Sequence, residues 1–560
     1  MKLNHPTNKL PLLRDKKGIS TIPEMFEKKT AKYGKLSAFF HIKDKEIREY
    51  SYSDIFDYVI KISEHLKNLG IGKGDHVAII GENRPEWAIS YFAVSWIGAV
   101  SIPLDSKANT ETLKYILDYS DSKAVFLPAN YLDKLRIEFE QKIDSKNLIV
   151  MDSFDEIKES IPTGSDKEHV DPDDINEILF TSGTTGNPKG VMLSNRNIMS
   201  NVEDVYSFLD INPGDRAFSI LPIHHSYEKT GGLLSTFYSG ISIYYGRGLK
   251  PRDLLQDLLT VKPTIWINTP LLLEKLITRI NKELAGQKGL KKLATKLLPK
   301  SIINKKIKKQ LGLEELRLLV SGGAALPDWV FDGFRELGIT IIEGYGMSEA
   351  SPIISANPVN KAKKGSVGMV IQSDEVEIRE PDNENNGEIV IKGPNVMHGY
   401  YKNPDATYEV LSSDGWLRTG DIGYFDEDGY LYITGRKKFI IVTPGGKNIF
   451  PEEIEEKLTK LPIIEEALVF SPDDKEIQAI IYPNIEEYCY ESGDENEDIK
   501  NTNLYKMLDQ KIKDLNRDLE PYKRVSKFAI KKDEFPKTTT RKIKRYLFKD
   551  IDLNSSETYL

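Results

Sequence analysis

Hydrophobic and polar positions alternate along this chain in two different periods. Tyr52 to Leu69 shows the spacing of an amphipathic helix, His76 to Gly81 reads as a strand, Pro85 to Ile97 as a helix and Ala99 to Pro103 as a second strand. Alternation of this kind predicts βαβ units and mostly parallel sheets. Ile175 and Ile178 to Phe180 form another short apolar run, predicting a buried strand. Asp374 to Val396 is different, because its runs are short and are divided by Pro381, Asp382 and Asn383 to Gly387, as in a β-subdomain. Glu486 to Asp498 is strongly acidic and aperiodic, which predicts an exposed loop or insertion. No internal repeat is visible. The longest apolar stretch, Tyr91 to Leu104, is too short to cross a bilayer and suits a buried helix running into a strand.

Composition narrows the class. A chain of 560 residues is too long for one hydrophobic core, and its 39% hydrophobic and 29% charged residues describe an ordinary globular protein. A net charge of −8 offers no case for general nucleic-acid binding. The single Cys489 rules out an intrachain disulfide and a thiolate-rich metal site, and it fits a reducing compartment. Its acidic neighbours Glu486, Glu487 and Glu491 disfavour a nucleophilic thiolate. The first residues, Met-Lys-Leu-Asn-His-Pro, lack the apolar core of a signal peptide, so a cytoplasmic location is expected.

Chemistry concentrates in residues 180 to 190, Phe-Thr-Ser-Gly-Thr-Thr-Gly-Asn-Pro-Lys-Gly. Gly183, Gly186 and Gly190 allow backbone N–H groups to approach an anion, Thr181, Ser182, Thr184 and Thr185 add hydroxyl donors, and Lys189 adds a charge. A surface turn of similar composition is the plain alternative. A P-loop is excluded, since Lys189 is followed by Gly190 and no hydroxyl stands where magnesium would need it. The string does resemble the phosphate loop of the adenylate-forming superfamily, which includes acyl-CoA synthetases, peptide-synthetase adenylation domains and luciferases.

Further motifs follow in that superfamily's order. Residues 343 to 349, Glu-Gly-Tyr-Gly-Met-Ser-Glu, resemble its second signature, which implies that Tyr345 lies against adenine and that Glu349 helps hold magnesium, with Thr181 as a second contact. Gly346 and Ser348 in the same stretch, and Gly322, Gly323 and Ala324 before it, are implied to line the nucleotide site. Ser348 stands where Thr is usual, which keeps the hydroxyl. Thr419-Gly420-Asp421 resembles the motif whose aspartate receives both ribose hydroxyls. Gly435 to Lys438 resembles the hinge, with Arg436 at the nucleotide and Lys438 at the pivot. Pro444 to Glu455, including Gly445 and Gly446, resembles the segment that lines the thiol tunnel. Pro536 to Lys542 resembles the motif of the catalytic lysine, implying that role for Lys542, although Arg541 replaces the usual Gly.

The resemblance, running from about residue 20 to about residue 548, implies an α/β fold: a large N-terminal domain (1–435) of mostly parallel sheets with a β-subdomain at about 365–435, and a small mobile C-terminal lid (436–560). It implies ATP, magnesium and coenzyme A, and activation of a carboxylic acid through an acyl-adenylate. His225, within Leu-Pro-Ile-His-His-Ser-Tyr-Glu, aligns better than His224 with a residue near the substrate carboxylate, and a functional and a structural role both stay open for it. Pro270 to Lys275 resembles a segment of long-chain acyl-CoA synthetases. Nine lysines and no acidic residue lie between Lys288 and Lys309, interleaved with leucines and isoleucines. That pattern suits either a solvated helical face or docking on an anionic membrane, and a membrane-delivered fatty acid accords with the second. A medium- or long-chain fatty acid is therefore the expected substrate. Aromatic acids, a carrier-protein acceptor and a non-catalytic acyl-nucleotide scaffold are the competing readings. Nothing in the sequence bears on oligomeric state.

Overall fold

The computed structural model describes residues 4–43, 46–132, 143–181, 188–285, 299–442, 448–472, 476–492, 502–537, 543–548, 551 and 553. Among these, two large sheets lead the architecture. A seven-stranded sheet runs in the order Gly399–Tyr400, Lys189–Ser194, Ile175–Thr181, Val100–Leu104, His76–Ile80, Ala124–Leu127, Leu148–Val150. Its strands from Ile175–Thr181 onward are parallel, and the other two pair antiparallel at the edge. A nine-stranded sheet has a parallel centre, where Thr340–Gly346, Leu318–Ser321, Ile265–Asn268, Arg216–Ser219 and Ser242–Tyr245 follow one another.

Helices pack against these sheets for reasons visible in sequence. Tyr52–Asn68 starts at a reciprocal capping box between Ser51 and Asp54, and its apolar face, with Ile55, Val59, Ile62 and Leu66, is buried. Pro85–Trp96 opens on proline and is buried all round, so it runs through the core and not over it. Phe92 stands at its centre, with ring centroids of Phe26 at 4.8 Å and Phe237 at 4.9 Å. The strands and helices expected between residues 52 and 104 all form, to within one residue of the expected ends.

Glu375–Arg379, Gly387–Lys392, Leu417–Phe425 and Leu431–Arg436 make a four-stranded antiparallel sheet, as the short divided runs predicted. Beyond it, Ile464–Phe470, Ile477–Pro483 and Val525–Ile530 form a three-stranded sheet. Helices Pro451–Thr459 and Thr502–Arg517 join it in a separate core with Ile454, Leu458, Leu504 and Leu508.

One expectation is corrected. The acidic stretch does not begin as a loop, because Ile485–Ser492 is helical. Asn484 caps it, accepting from Glu487 N at 3.1 Å, and Tyr488 is buried in the C-terminal core. One well-placed aromatic outweighs the surrounding charge. The acidic residues from 493 to 498 lie outside the described residues.

Phe92→Ala is expected to lower stability by about 3–5 kcal/mol through the cavity it leaves. The urea midpoint of the main unfolding transition measures this.

Candidate active site

The phosphate-type loop sits at the tip of a β-hairpin. Ile175–Thr181 and Lys189–Ser194 pair antiparallel, and Thr181 is directly opposite Lys189. Ser182, Gly183, Thr184, Thr185 and Gly186 lie outside the described residues, as do Gly445, Gly446 and Lys542. The hydroxyl of Thr181 donates to the Lys189 carbonyl at 3.5 Å.

Gly399–Tyr400 extends the same sheet, and Tyr400 gathers the neighbouring site residues. Its hydroxyl donates to Glu349 Oε1 at 2.8 Å, and Lys189 Nζ stands 4.8 Å from its ring centre. Burial, followed by the Glu349 charge, raises the Tyr400 phenol above its ordinary range, so it stays a donor. Lys189 and Glu349 thus come together at one tyrosine, and Thr181 stands across the hairpin from Lys189.

Tyr345 ends a strand of the other large sheet. Its hydroxyl donates to Asp421 Oδ2 at 2.7 Å, while Asp421 Oδ1 pairs with Arg436 Nε at 2.8 Å. An ionised carboxylate has about four lone-pair sites, so each oxygen keeps capacity for a sugar hydroxyl. The antiparallel register places Asp421 directly across from Arg436. Gly346 is required by close approach, since a Cβ there would lie 1.9 Å from the Pro352 carbonyl oxygen. Ser348 and Ser226 share a hydrogen bond of 3.3 Å. Gly322 donates from its N–H to Asn268 O at 3.2 Å and faces the Tyr227 ring, whereas Gly323 takes a left-handed φ of +85° and Ala324 is exposed. Lys438 lies on the exposed short turn Lys437–Phe439.

His224 and His225 stand with ring centroids 4.2 Å apart. The Nε2 atoms of both are buried without a hydrogen-bond partner among the described residues, although His224 Nε2 comes within 3.9 Å of Asp105 Oδ1. Burial holds His225 down at about 4 and His224 well below its ordinary value, so both rings are neutral near pH 7. A neutral imidazole can donate to a carboxylate without carrying a charge into the core. Asn83 braces the approach to the pair, donating to Leu221 O at 2.6 Å and accepting from Ile223 N at 3.1 Å. Asn83 also donates to Ser219, whose hydroxyl donates to Glu228 Oε1 at 2.5 Å. Asn83 and Tyr400 carry no sequence signal, because each acts on a residue distant along the chain, and Glu228 ends the His224–His225 string without a motif of its own.

Among the described residues, no three His, Cys, Asp or Glu side chains converge as a metal cage. Glu349 and Thr181 each carry an oxygen donor, one beside Tyr400 and one across from Lys189. That set fits a magnesium ion which takes its remaining ligands from substrate phosphates and water.

Comparisons with known proteins give the chain's family and fold. The family model described as AMP-binding enzyme matches residues 26–401, and that described as AMP-binding enzyme C-terminal domain matches residues 438–550. The chain is 30% identical to the long-chain-fatty-acid–CoA ligase of Bacillus subtilis (strain 168), covering 76% of this chain and 79% of that protein. It is 27% identical to the chloroplastic long-chain-fatty-acid–[acyl-carrier-protein] ligase AEE15 of Arabidopsis thaliana, over 83% of this chain and 76% of that one. In fold it is similar to o-succinylbenzoate CoA synthetase from Bacillus subtilis solved with its acyl-adenylate intermediate. There the TM-score is 0.76 at 23% identity, covering 94% of this chain and 98% of the other.

Glu228 provides a test of the buried network. Burial pushes its carboxyl up to about 8, so the folded protein keeps a proton that the unfolded chain releases near its ordinary 4.5. The resulting stabilisation is full below the unfolded value and is lost as pH rises through the folded one. Glu228→Gln removes this dependence. Relative to wild type, the variant is expected to gain on the order of 4 kcal/mol between about pH 5 and about pH 8, read from urea unfolding curves.

Proposed function

Because the chain belongs to the AMP-binding enzyme family, we propose that it activates a medium- or long-chain fatty acid with ATP and passes the acyl group to coenzyme A. The observation that carries this reading is that Tyr345 and Glu349, four residues apart, each hold one set of polar residues: one reaches the four-stranded sheet, the other the edge of the seven-stranded sheet. Tyr345, Asp421 and Arg436 form one set; Thr181, Lys189, Tyr400 and Glu349 form the other.

In the first step a carboxylate oxygen of the acid attacks the α-phosphorus of ATP, a P–O bond forms, and pyrophosphate leaves. In the second the coenzyme A thiol, losing its proton, attacks the acyl carbonyl carbon and AMP leaves. Asp421 holds the ribose hydroxyls, Tyr345 lies against adenine, and Lys189 with the loop at 182–187 holds phosphate. Gly322, Gly323, Ala324, Gly346 and Ser348 line the nucleotide, and His225 donates to the substrate carboxylate. Glu349 and Thr181 would hold magnesium, whose charge would offset the repulsion between the two anions. Lys542 adds a cation at the first transition state. Two steps need two arrangements, so the segment from Arg436 onward acts as a lid turning at Lys438, and Gly445 and Gly446 lie along the thiol's path. The relatives named above act on long-chain fatty acids, and this supports the substrate class.

The helix Lys300–Gln310 supports a peripheral contact with an anionic membrane. Lys300, Lys305, Lys306 and Lys309 are exposed on it, Ile302 is 50% exposed, and Ile307 packs on the core beneath. Such a helix lies flat on negative headgroups and would receive the fatty acid there. The remainder of the basic stretch, up to residue 298, is outside the described residues. No described helix is long and apolar enough to cross a membrane.

Thiol-dependent formation of AMP and pyrophosphate, measured from acetate to stearate, tests the activity. Transfer through a dry tunnel predicts a rise in kcat/KM of about fourfold per added methylene until the tunnel is filled. Lys542→Ala is expected to lower the adenylation step by about 100-fold or more while sparing thioester formation from supplied acyl-adenylate. Activity confined to aromatic acids overturns the substrate class, and a Lys542→Ala enzyme with wild-type adenylation overturns the role of the lysine. For the membrane contact, vesicles containing phosphatidylserine are expected to sediment the protein at low salt. Lys305→Glu with Lys306→Glu abolishes this, whereas pure phosphatidylcholine vesicles leave wild type in the supernatant.

A further inference from the structure

Between the two large sheets runs a π-helical turn, Tyr227–Leu234, that begins two residues after His225. Side chains on and beside it touch each neighbouring part of the site. Ser226 bonds Ser348, and Thr230 Oγ1 donates to Ser351 O at 3.0 Å, just past Glu349. Tyr227 OH reaches Asn268 O at 3.3 Å and Val320 O at 3.2 Å, at the ends of the strands that precede Gly322. Gly232 has no side chain because a Cβ there would press within 2.6 Å of the Glu228 carboxylate.

Lys229 supplies the fourth connection. Its ammonium is wholly buried and pairs with Glu177, also wholly buried. Glu177 is on the strand Ile175–Thr181, four residues before Thr181 and the loop that follows. Tyr91 OH donates to the other Glu177 oxygen at 3.1 Å, and Asn176 Nδ2 donates to Tyr91 OH at 3.0 Å. The backbone N–H of Lys229 donates to His225 O at 2.9 Å. Lys229 therefore connects the histidine by its main chain and the phosphate-loop strand by its side chain.

A buried ion pair gives little net stability over apolar residues of similar volume, yet it specifies one arrangement of the elements it joins. We propose that Lys229 and Glu177 are positioning residues for adenylation: they set the distance between His225, where the acid's carboxylate binds, and the loop that holds the ATP phosphates. The His225 Nε2 atom, buried and without a partner among the described residues, marks the ligand side of this arrangement. The inference rests on the adenylation reading above.

The test pairs Glu177→Gln with Lys229→Met, which removes both charges and keeps an acceptor for Tyr91. Acid-dependent exchange of pyrophosphate into ATP is measured beside thermal unfolding. A folded double variant is expected to lose about tenfold or more in kcat, with KM for ATP within about twofold of wild type, since loss of alignment costs rate. Glu177→Gln alone keeps one acceptor, for Tyr91, and turns an amide N–H toward Lys229, an amine that burial already disposes to lose its proton; it is expected to fold with reduced stability and to lose at least about threefold in kcat. Lys229→Arg, keeping the cation, is expected to stay within about threefold of wild type. Should the double variant melt, Glu177→Gln decides. Wild-type kcat in either folded variant overturns the positioning role, as does a loss confined to KM for ATP. If wild type itself exchanges no pyrophosphate with any fatty acid, the adenylation reading falls instead.

Discussion

The pairing of Lys229 with Glu177 is the contact on which the arrangement of the catalytic region depends. It joins the seven-stranded sheet to the helical turn packed between the sheets, at a place from which water is excluded. Separating the two charges would leave each desolvated and uncompensated, so the sheets have one favourable relative setting. Tyr91 and Asn176 complete the pair's hydrogen bonding, as a low-dielectric site requires. Glu228, one residue before Lys229, meets the same constraint differently: burial raises its carboxyl to about 8, so it keeps its proton near pH 7 and accepts from the Ser219 hydroxyl, which Asn83 meets in turn.

A second set of charges runs from the nucleotide site into the C-terminal unit. Asp421 pairs with Arg436 at the edge of the four-stranded sheet, and the chain then turns through Lys437–Phe439. Arg545 lies with its guanidinium 5.0 Å from the Phe439 ring and pairs with Glu455, while Glu452 is 3.8 Å away. Burial pushes the Glu455 carboxyl up to about 7, with the Arg545 charge opposing it. On either side of residues 538–542, Lys537 and Ile543 bridge, and Lys544 N donates to Pro536 O at 2.9 Å. Through Arg545 the described residues that follow this stretch are tied to the turn Lys437–Phe439 and to the helix Pro451–Thr459.

Much of the fold was legible in the chain. Periodicity located the elements between residues 52 and 104 because their burial is regular: one face for Tyr52–Asn68, all faces for Pro85–Trp96. The phosphate-type loop was readable because anion binding restricts residue type so severely that glycine, hydroxyls and lysine occur in a recognisable order. Helix Ile485–Ser492 escaped notice since its one buried anchor, Tyr488, is surrounded by acidic residues that carry no period.

Local chemistry, then, was offered by sequence alone: which residue types stand in order for a phosphate, which turn needs glycine, which carboxylate the motif singles out. Tertiary structure decided which of them meet. Tyr400 joins Glu349 to Lys189 only because its strand pairs with Lys189–Ser194 from some two hundred residues away. Lys229 finds Glu177 only once two sheets have closed around the turn between them. Backbone preference acts over a few residues and is written locally, whereas burial of a charge depends on everything that packs around it, which no window of sequence contains.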